Sequence, residues 1–366
     1  MKNDIFCPNE HCHAKGHVGK GNIIVHSKRD NRFYCKECKR TFSGRKGTLF
    51  YRRKLDEATI VLIVGLLSYG CPASAIEQAF RIDGRTVRSL ESGAGEHCKR
   101  VHEHSVEKPL QHTQIQVDEM WAKLCGAIVW IAMAISVDTR LWLGASVGHK
   151  RNRKLINSIL STIKCCVIGS CLIVTDGFSA YIQATRKAFS TKVPRKGKPG
   201  RCRLSIQENI CLAQVIKSYT KKGKRYTCHG VSRCLVAIGA FAQVSRAVTR
   251  NKTSVLNTSY IERLNATFRQ RLAGLIRRGR CIWRKKERAQ AAVYLLGTVY
   301  NFCSIHQSLK QTPAMAAGIT SHIWSIDELL KYKVPPSIWT PSKKRGRISK
   351  SKRQLIARWA GKIDHG

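Results

Sequence analysis

The chain has 366 residues, with 66 Lys+Arg against 22 Asp+Glu, a formal net charge of +44 and 43% hydrophobic residues. That apolar share can bury a core and excludes wholesale disorder, and the length leaves room for two or three domains. So large an excess of cations works against compactness through self-repulsion and favours a polyanionic partner, nucleic acid before an anionic membrane surface.

The longest apolar runs, residues 59–67 and 126–137, fall short of the about 20 residues a membrane-spanning helix needs, so no membrane partner is expected. Met1-Lys2-Asn3-Asp4 opens no apolar signal segment, and a cytoplasmic protein is expected. Sixteen cysteines then read as reduced thiols. Cys165, Cys166, Cys171, Cys211 and Cys234 lie in apolar surroundings and read as small core hydrophobes.

Residues 1–45 hold Cys7 and Cys12, then a long gap, then Cys35 and Cys38. Paired cysteines flanking a loop suit a tetrahedral four-thiolate Zn²⁺ site in a small ribbon, whose folding energy the metal supplies. His11 or His13 can replace Cys12 as a ligand on spacing alone.

Residues 54–105 read as helical. A first helix over 55–69 ends at Gly70, a short second one opens at Pro72, and Ile82-Asp83-Gly84 forms a turn before a third. A short helix, a Gly-containing turn and a helix opening with Arg85, Thr86 and Arg88 match a helix-turn-helix that reads a major groove. A plain structural helical hairpin accounts for the same pattern.

Residues 111–318 are mixed α/β. Strands over 115–118, 127–137 and 141–147 form an expected meander, followed by a helix over 154–163, a strand over 171–175 and a helix over 180–189. Asp118 and Asp176 fall where apolar strands run out, the position in which α/β sheets keep their sites. Asp138 reads as a turn residue. The basic stretch 186–203, with Arg195, Lys196, Lys198 and Arg201, reads as an exposed loop able to touch phosphates. Glu208 follows it as an alternative third acid.

The stretch from Asn257 to Leu272 reads as a helix. Ile261, Leu264, Phe268 and Leu272 make an apolar stripe, while Glu262, Asn265 and Arg269 share a polar face at i, i+3 and i+7. A salt-bridged surface face gives the same spacing. Arg277 and Arg278 follow as further DNA contacts, residues 289–302 form an apolar helix, and 341–366 is a basic tail that adds nonspecific affinity for DNA.

Asp118, Asp176 and Glu262, converging from two strands and a helix, make a hard-oxygen site for Mg²⁺ or Mn²⁺. The order of these three acids, with Arg269 seven residues past the Glu, resembles the DDE signature of bacterial transposases, and more narrowly the insertion sequence one family. The matching stretches are Val117-Asp118-Glu119-Met120-Trp121, Thr175-Asp176-Gly177, Tyr260-Ile261-Glu262-Arg263-Leu264-Asn265 with Arg269-Gln270-Arg271, and Tyr300-Asn301-Phe302-Cys303 through His306 and Thr312-Pro313-Ala314. Cys35-Lys36-Glu37-Cys38 through Phe42 resembles the zinc ribbon at the start of such proteins.

The resemblance implies an α/β multidomain protein with a zinc ribbon, a helix-turn-helix region, an RNase H-like catalytic domain and a basic C-terminal tail. It implies a prokaryotic, nucleoid-associated enzyme that acts on terminal inverted repeats and target DNA as a homo-oligomer. The expected chemistry uses two Mg²⁺ ions about 3.5–4 Å apart to cut a strand and join its 3′-end to a second DNA. Arg269 would grip a phosphate of the end, and Asn265 would position the strand or a ligand. Glu119, on the opposite side of an extended segment, and His306 are expected to support the fold. A catalytically inactive DNA-binding regulator and a nuclease without strand joining are the rival readings.

Overall fold

The computed structural model describes residues 5–193, 202–222, 225–250, 256–276, 282–338 and 354. Arg195, Lys196, Lys198, Arg201, Arg277 and Arg278 lie outside the described residues, as does the tail 341–366 apart from residue 354. The chain forms two compact units, Met1–Lys46 with Pro335–Gly366, and Gly47–Val334.

The first unit carries three short antiparallel strands in the order β1 (Ile23–Ser27), β2 (Arg32–Cys35) and β3 (Arg40–Ser43). Phe33 and Phe42 stack across β2 and β3 with ring centroids 5.9 Å apart. The buried cluster at its centre is Cys7, Cys12, Ala14 and Cys35. With Phe6 these are the buried apolar side chains of the unit among the described residues, few for a unit to rest on hydrophobic burial alone.

The second unit begins with α1 (Glu57–Ser68), α2 (Ala73–Phe80) and α3 (Gly84–Ser105). Asp56 caps α1 by accepting from the Thr59 amide, and Asp83 caps α3 by accepting from the Arg85 amide. Gly70 at φ +89° ends α1, and Arg81 in the left-handed region ends α2. The turn is therefore Arg81-Ile82-Asp83, and Gly84 is already the first residue of α3.

Next come β4 (Leu110–Gln111), β5 (Gln114–Leu124), β6 (Ala127–Ser136), β7 (Trp142–Gly148), α4 (Arg153–Cys166), β8 (Val167–Ile168), β9 (Cys171–Asp176) and α5 (Ala180–Phe189). They are followed by β10 (Ser190–Val193), β11 (Arg203–Ile206), β12 (Ile210–Lys222), β13 (Arg225–Ile238), α6 (Phe241–Arg250), α7 (Ser259–Arg271), α8 (Lys286–Phe302), α9 (Pro313–Ala316) and α10 (Ile326–Lys331).

Six strands form one mixed sheet in the order β13-β12-β9-β5-β6-β7. β5, β6 and β7 are an antiparallel meander. β9 lies parallel to both β5 and β12, and β13 returns antiparallel at the edge. Among the described residues no helix is long and apolar enough to cross a membrane.

The alternation along the strands divides the core. Ile115, Val117, Ile173 and Leu212 pack on one face with α4 and α5, in a core that also holds the buried sides of α1, α2 and α3. Met120, Ile131 and Met133 pack on the other face with Ile261, Leu264 and Phe268 of α7 and the buried side of α8. Helices α1 to α3 thus share a core with the sheet.

Two glycines let α8 approach closely. A Cβ at Gly95 of α3 would lie 2.2 Å from the Ala291 carbonyl oxygen, and one at Gly297 would lie 2.3 Å from the Trp142 ring. Asn301 of α8 is buried and pairs with β7 as a strand would, accepting from the Trp142 amide and donating to its carbonyl.

Three sequence expectations change here. Cys166, Cys171 and Cys211 are buried, but Cys165 faces out on α4 and Cys234 is exposed on the edge strand β13. β5 does not end at Asp118: residues 119–124 keep alternating and pair with β6 down to Leu124↔Ala127. The long hairpin of β12 and β13, with α6 behind it, was not foreseen, because basic residues interrupt its apolar alternation.

Candidate functional site

In the first unit the four predicted thiols come together, with one sulfur from each of Cys7, Cys12, Cys35 and Cys38 within 4.8 Å of the others. Cys7 Sγ lies 3.7 Å from Cys38 Sγ, and Cys12 Sγ lies 3.9 Å from Cys35 Sγ. Four sulfurs around Zn²⁺ at about 2.3 Å stand about 3.8 Å apart, so the set has the dimensions of a tetrahedral metal site. Asn22 donates to Cys35 Sγ at 3.4 Å. His11 and His13 are exposed and do not belong to the group, which resolves the ligand choice in favour of Cys12.

Burial pushes the Cys7 and Cys12 thiols up. Burial also acts to raise Cys38, but hydrogen bonds from Asn9, the Arg40 backbone and the neighbouring thiols outweigh it and bring this thiol down to about 7.

In the second unit Asp118 lies within β5 and Asp176 closes β9, and the two strands run side by side and parallel. Asp118, Glu119 and Asp176 each offer a carboxylate oxygen within 4.8 Å of the others. Burial, then the charges of Glu119 and Asp176, and more weakly Glu262, raise Asp118 to about 6. Glu119 was expected to face away, and its partners do lie on the far side of the sheet. It accepts from the Tyr181 hydroxyl of α5 at 2.6 Å and from Arg151 Nε and Nη2 at 3.1 and 2.7 Å. Arg151, in the turn before α4, also donates to Asp176 Oδ2 at 2.6 Å. One guanidinium therefore bridges two of the three carboxylates.

Glu262 does not join that group. It sits in the first turn of α7, 47% exposed, paired with Lys217 of β12 and accepting from the Thr258 hydroxyl at 2.5 Å. Burial acts to raise its carboxyl, but Lys217 and Thr258 outweigh it and hold it below its ordinary value. Asn265, one turn on, is buried and donates to Asp118 Oδ2 at 2.8 Å. Its own Oδ1 is buried without a hydrogen-bond partner among the described residues. Arg269 is half-buried in the last turn.

The residue that fixes α7 against the sheet is Gln116, two before Asp118 and on the same face. Its Oε1 accepts from the Tyr260 and Ile261 amides at 3.0 Å each, and its Nε2 donates to the Asn257 carbonyl at 2.8 Å. Gln214 of β12 plays the matching part for the end of β9, donating to the Asp176 and Phe178 carbonyls. Sequence reading missed Arg151, Tyr181, Lys217, Gln116 and Gln214. Only the glutamines carried a signal, as buried polar residues in apolar strands.

The alternative acids fall away. Asp138 accepts from the Thr113 amide at 2.8 Å and from the Thr113 hydroxyl, tying the β6–β7 turn to the start of β5. Glu208 precedes Ile210, which pairs with Cys171 at the opposite end of β9 from Asp176. His306 serves a turn, through its amide to the Gln311 carbonyl and its ring to Ser308.

Of the expected groove-reading residues, Arg85 is exposed while Thr86 and Arg88 are half-buried. A scan of the sequence against protein-family models finds no match, and a search of curated proteins finds none either.

Proposed function

We propose that the chain is a DDE-type DNA transposase, which binds the terminal inverted repeats of an element, cuts the strand there and joins its 3′-end to target DNA. The observation that carries this reading is the pair Asp118 and Asp176 on adjacent parallel strands, covered by a helix that sets Asn265 on Asp118 and carries Glu262, paired with Lys217, one turn before it. The strand order supports an RNase H-like domain: an antiparallel meander of three, with two further strands parallel to its first. The net charge of +44 supports DNA as the partner, and the implied setting is a homo-oligomer at a prokaryotic nucleoid.

The donor set fits hard divalent cations. Burial and the neighbouring carboxylates raise Asp118 to about 6, and beside it the buried amide oxygen of Asn265 has no hydrogen-bond partner among the described residues. Asp118 and Asp176 would hold Mg²⁺ or Mn²⁺, with Glu262 as the third ligand once it leaves Lys217. Bound ions would activate water or a 3′-hydroxyl and stabilise the leaving oxygen. Asn265 keeps Asp118 oriented, Gln116 holds α7 in place, and Arg151 balances the charge of Asp176 and Glu119. The four thiols fit structural Zn²⁺ in a ribbon.

The test is a set of full-length variants assayed on end duplexes. Asp118→Asn, Asp176→Asn and Glu262→Gln each abolish Mg²⁺-dependent cleavage and joining while end binding stays within about two-fold, because affinity comes from Lys and Arg. Normal cleavage by any one of them removes that residue from the site. Cleavage without joining in the wild type supports the nuclease reading, and binding without cleavage the regulator.

A further inference from the structure

A cavity of about 600 Å³ lies in the second unit beside the C-terminal end of α7. Among the described residues five arginines line it: Arg85 and Arg88 from the start of α3, Arg271 from the end of α7, Arg284 ahead of α8 and Arg288 in its first turn. Glu91 is the one carboxylate in the lining among the described residues, within electrostatic reach of Arg288 and Arg88. The Arg271 guanidinium lies over the Tyr69 ring at 4.8 Å, and its Nη1 is buried without a hydrogen-bond partner among the described residues.

Pro72, Ala73 and Ser74 add the opening of α2 to the same wall. That helix has no side-chain cap and no acid in its first turn, so its N-terminal end carries no anion of its own beside the cavity. Five guanidiniums and an uncapped helix start around one concave space, against a single carboxylate, describe an anion site.

We propose that this cavity is a phosphate site that takes the backbone of the DNA strand on which the acidic cluster acts, an inference that rests on the function proposed above. Helix α7 supplies the link: Arg271 follows Glu262 by nine residues, about 14 Å along the helix axis. The site also reassigns Arg88. It faces a cavity shared with Arg271 and Arg288, so it contacts phosphate and carries no base preference.

The test uses the full-length protein, a random-sequence duplex and inorganic pyrophosphate. Arg88→Gln, Arg288→Gln and Ser74→Glu are compared at two salt concentrations. Ser74 is exposed, and a carboxylate in a first helical turn favours the helix, so this variant keeps its fold while closing the cavity to anions. Each variant is expected to lower affinity for the random duplex about five-fold or more and to flatten the dependence of log K on log salt by about one. Pyrophosphate is expected to raise the melting temperature of the wild type and not of Ser74→Glu.

Unchanged duplex affinity and salt slope in Ser74→Glu and Arg288→Gln would overturn the site, as would a loss in Arg88→Gln confined to one sequence. If the protein binds no duplex at all, the proposed function fails. A pyrophosphate response abolished by Ser74→Glu would then show a site for free phosphates, and no such response would remove the site as well.

Discussion

The thiol cluster and the acidic cluster meet the same problem, several anionic ligands at short range, in opposite ways. The thiols form almost the whole buried centre of the first unit, at sulfur spacings that already match a tetrahedral ion. The acids sit in a sheet with its own large core, and protein cations already answer them: Arg151 bridges Glu119 and Asp176, and Lys217 holds Glu262. The first is a closed set of four thiols with the dimensions of a metal site, in a unit with little other buried surface among the described residues. The second is an open one set in a fold with its own core, and under the proposed function an ion there would compete with Lys217 for Glu262.

The comparison breaks most visibly on metal removal. Chelation, or Cys35→Ser, takes away a stabilisation of about 10–16 kcal/mol in small zinc units and unfolds β1 to β3. Amide exchange then rises across these strands, while β5, β6 and β9 keep their protection. Equal loss in both units, or none in the first, removes the distinction.

Acid separates the units next, through His97 and His102, two of the histidines buried in the second unit, which no spacing or motif singled out. Burial lowers His97 and His102 to about 4, and each ring's Nε2 meets a carbonyl, of Leu329 and Leu143. Both rings are neutral at pH 7. Below about pH 6.5 the unfolded chain takes up protons that the folded rings refuse until about pH 4, so stability falls across that window, by up to about 3 kcal/mol per ring. Urea unfolding at pH 7 and pH 4.5 measures it. His102→Gln, neutral throughout, shows a smaller fall; a variant that tracks the wild type contradicts the assignment.

The crowded acids predict the opposite sign. Asp118 is raised to about 6, above its unfolded value, so it favours the fold in acid and that contribution is lost as pH rises through about 6. At pH 7 without divalent metal, Asp118→Asn therefore stabilises the second unit by about 1–3 kcal/mol while abolishing cleavage. A lower melting temperature in this variant means that the Asn265 contact outweighs the crowding.

The smallest effect belongs to Lys217. Lys217→Gln releases Glu262 and lowers the Mg²⁺ concentration needed for half-maximal cleavage about two- to five-fold, an exposed ion pair amounting to no more than about 1 kcal/mol. An unchanged or higher requirement shows that the lysine does not compete with the ion.

What the sequence disclosed follows from how local each signal is. Asp176 closes a short apolar run, and Glu262 and Asn265 share a helix face by spacing alone, so both were legible. The cysteine pairs were legible for the same reason. Arg151, Lys217 and Tyr181 were not: they reach acids 25 to 62 residues away, and in a chain with 66 Lys+Arg one more cation carries no mark. Gln116 meets α7 across 144 residues, and only its polarity inside a buried strand hinted at a partner. The helical character of 84–105 was legible from the turn and the composition, but not its buried face, which is built partly of His97, His102 and Gly95.

Whether Asp118 and Asp176 hold a divalent cation is read from Mn²⁺ binding followed by electron paramagnetic resonance. The full-length zinc-loaded protein is expected to bind Mn²⁺ that Mg²⁺ displaces, with binding lost in Asp118→Asn and in Asp176→Asn and zinc content unchanged. Absence of bound Mn²⁺ in the wild type, or undiminished binding in both variants, would contradict it.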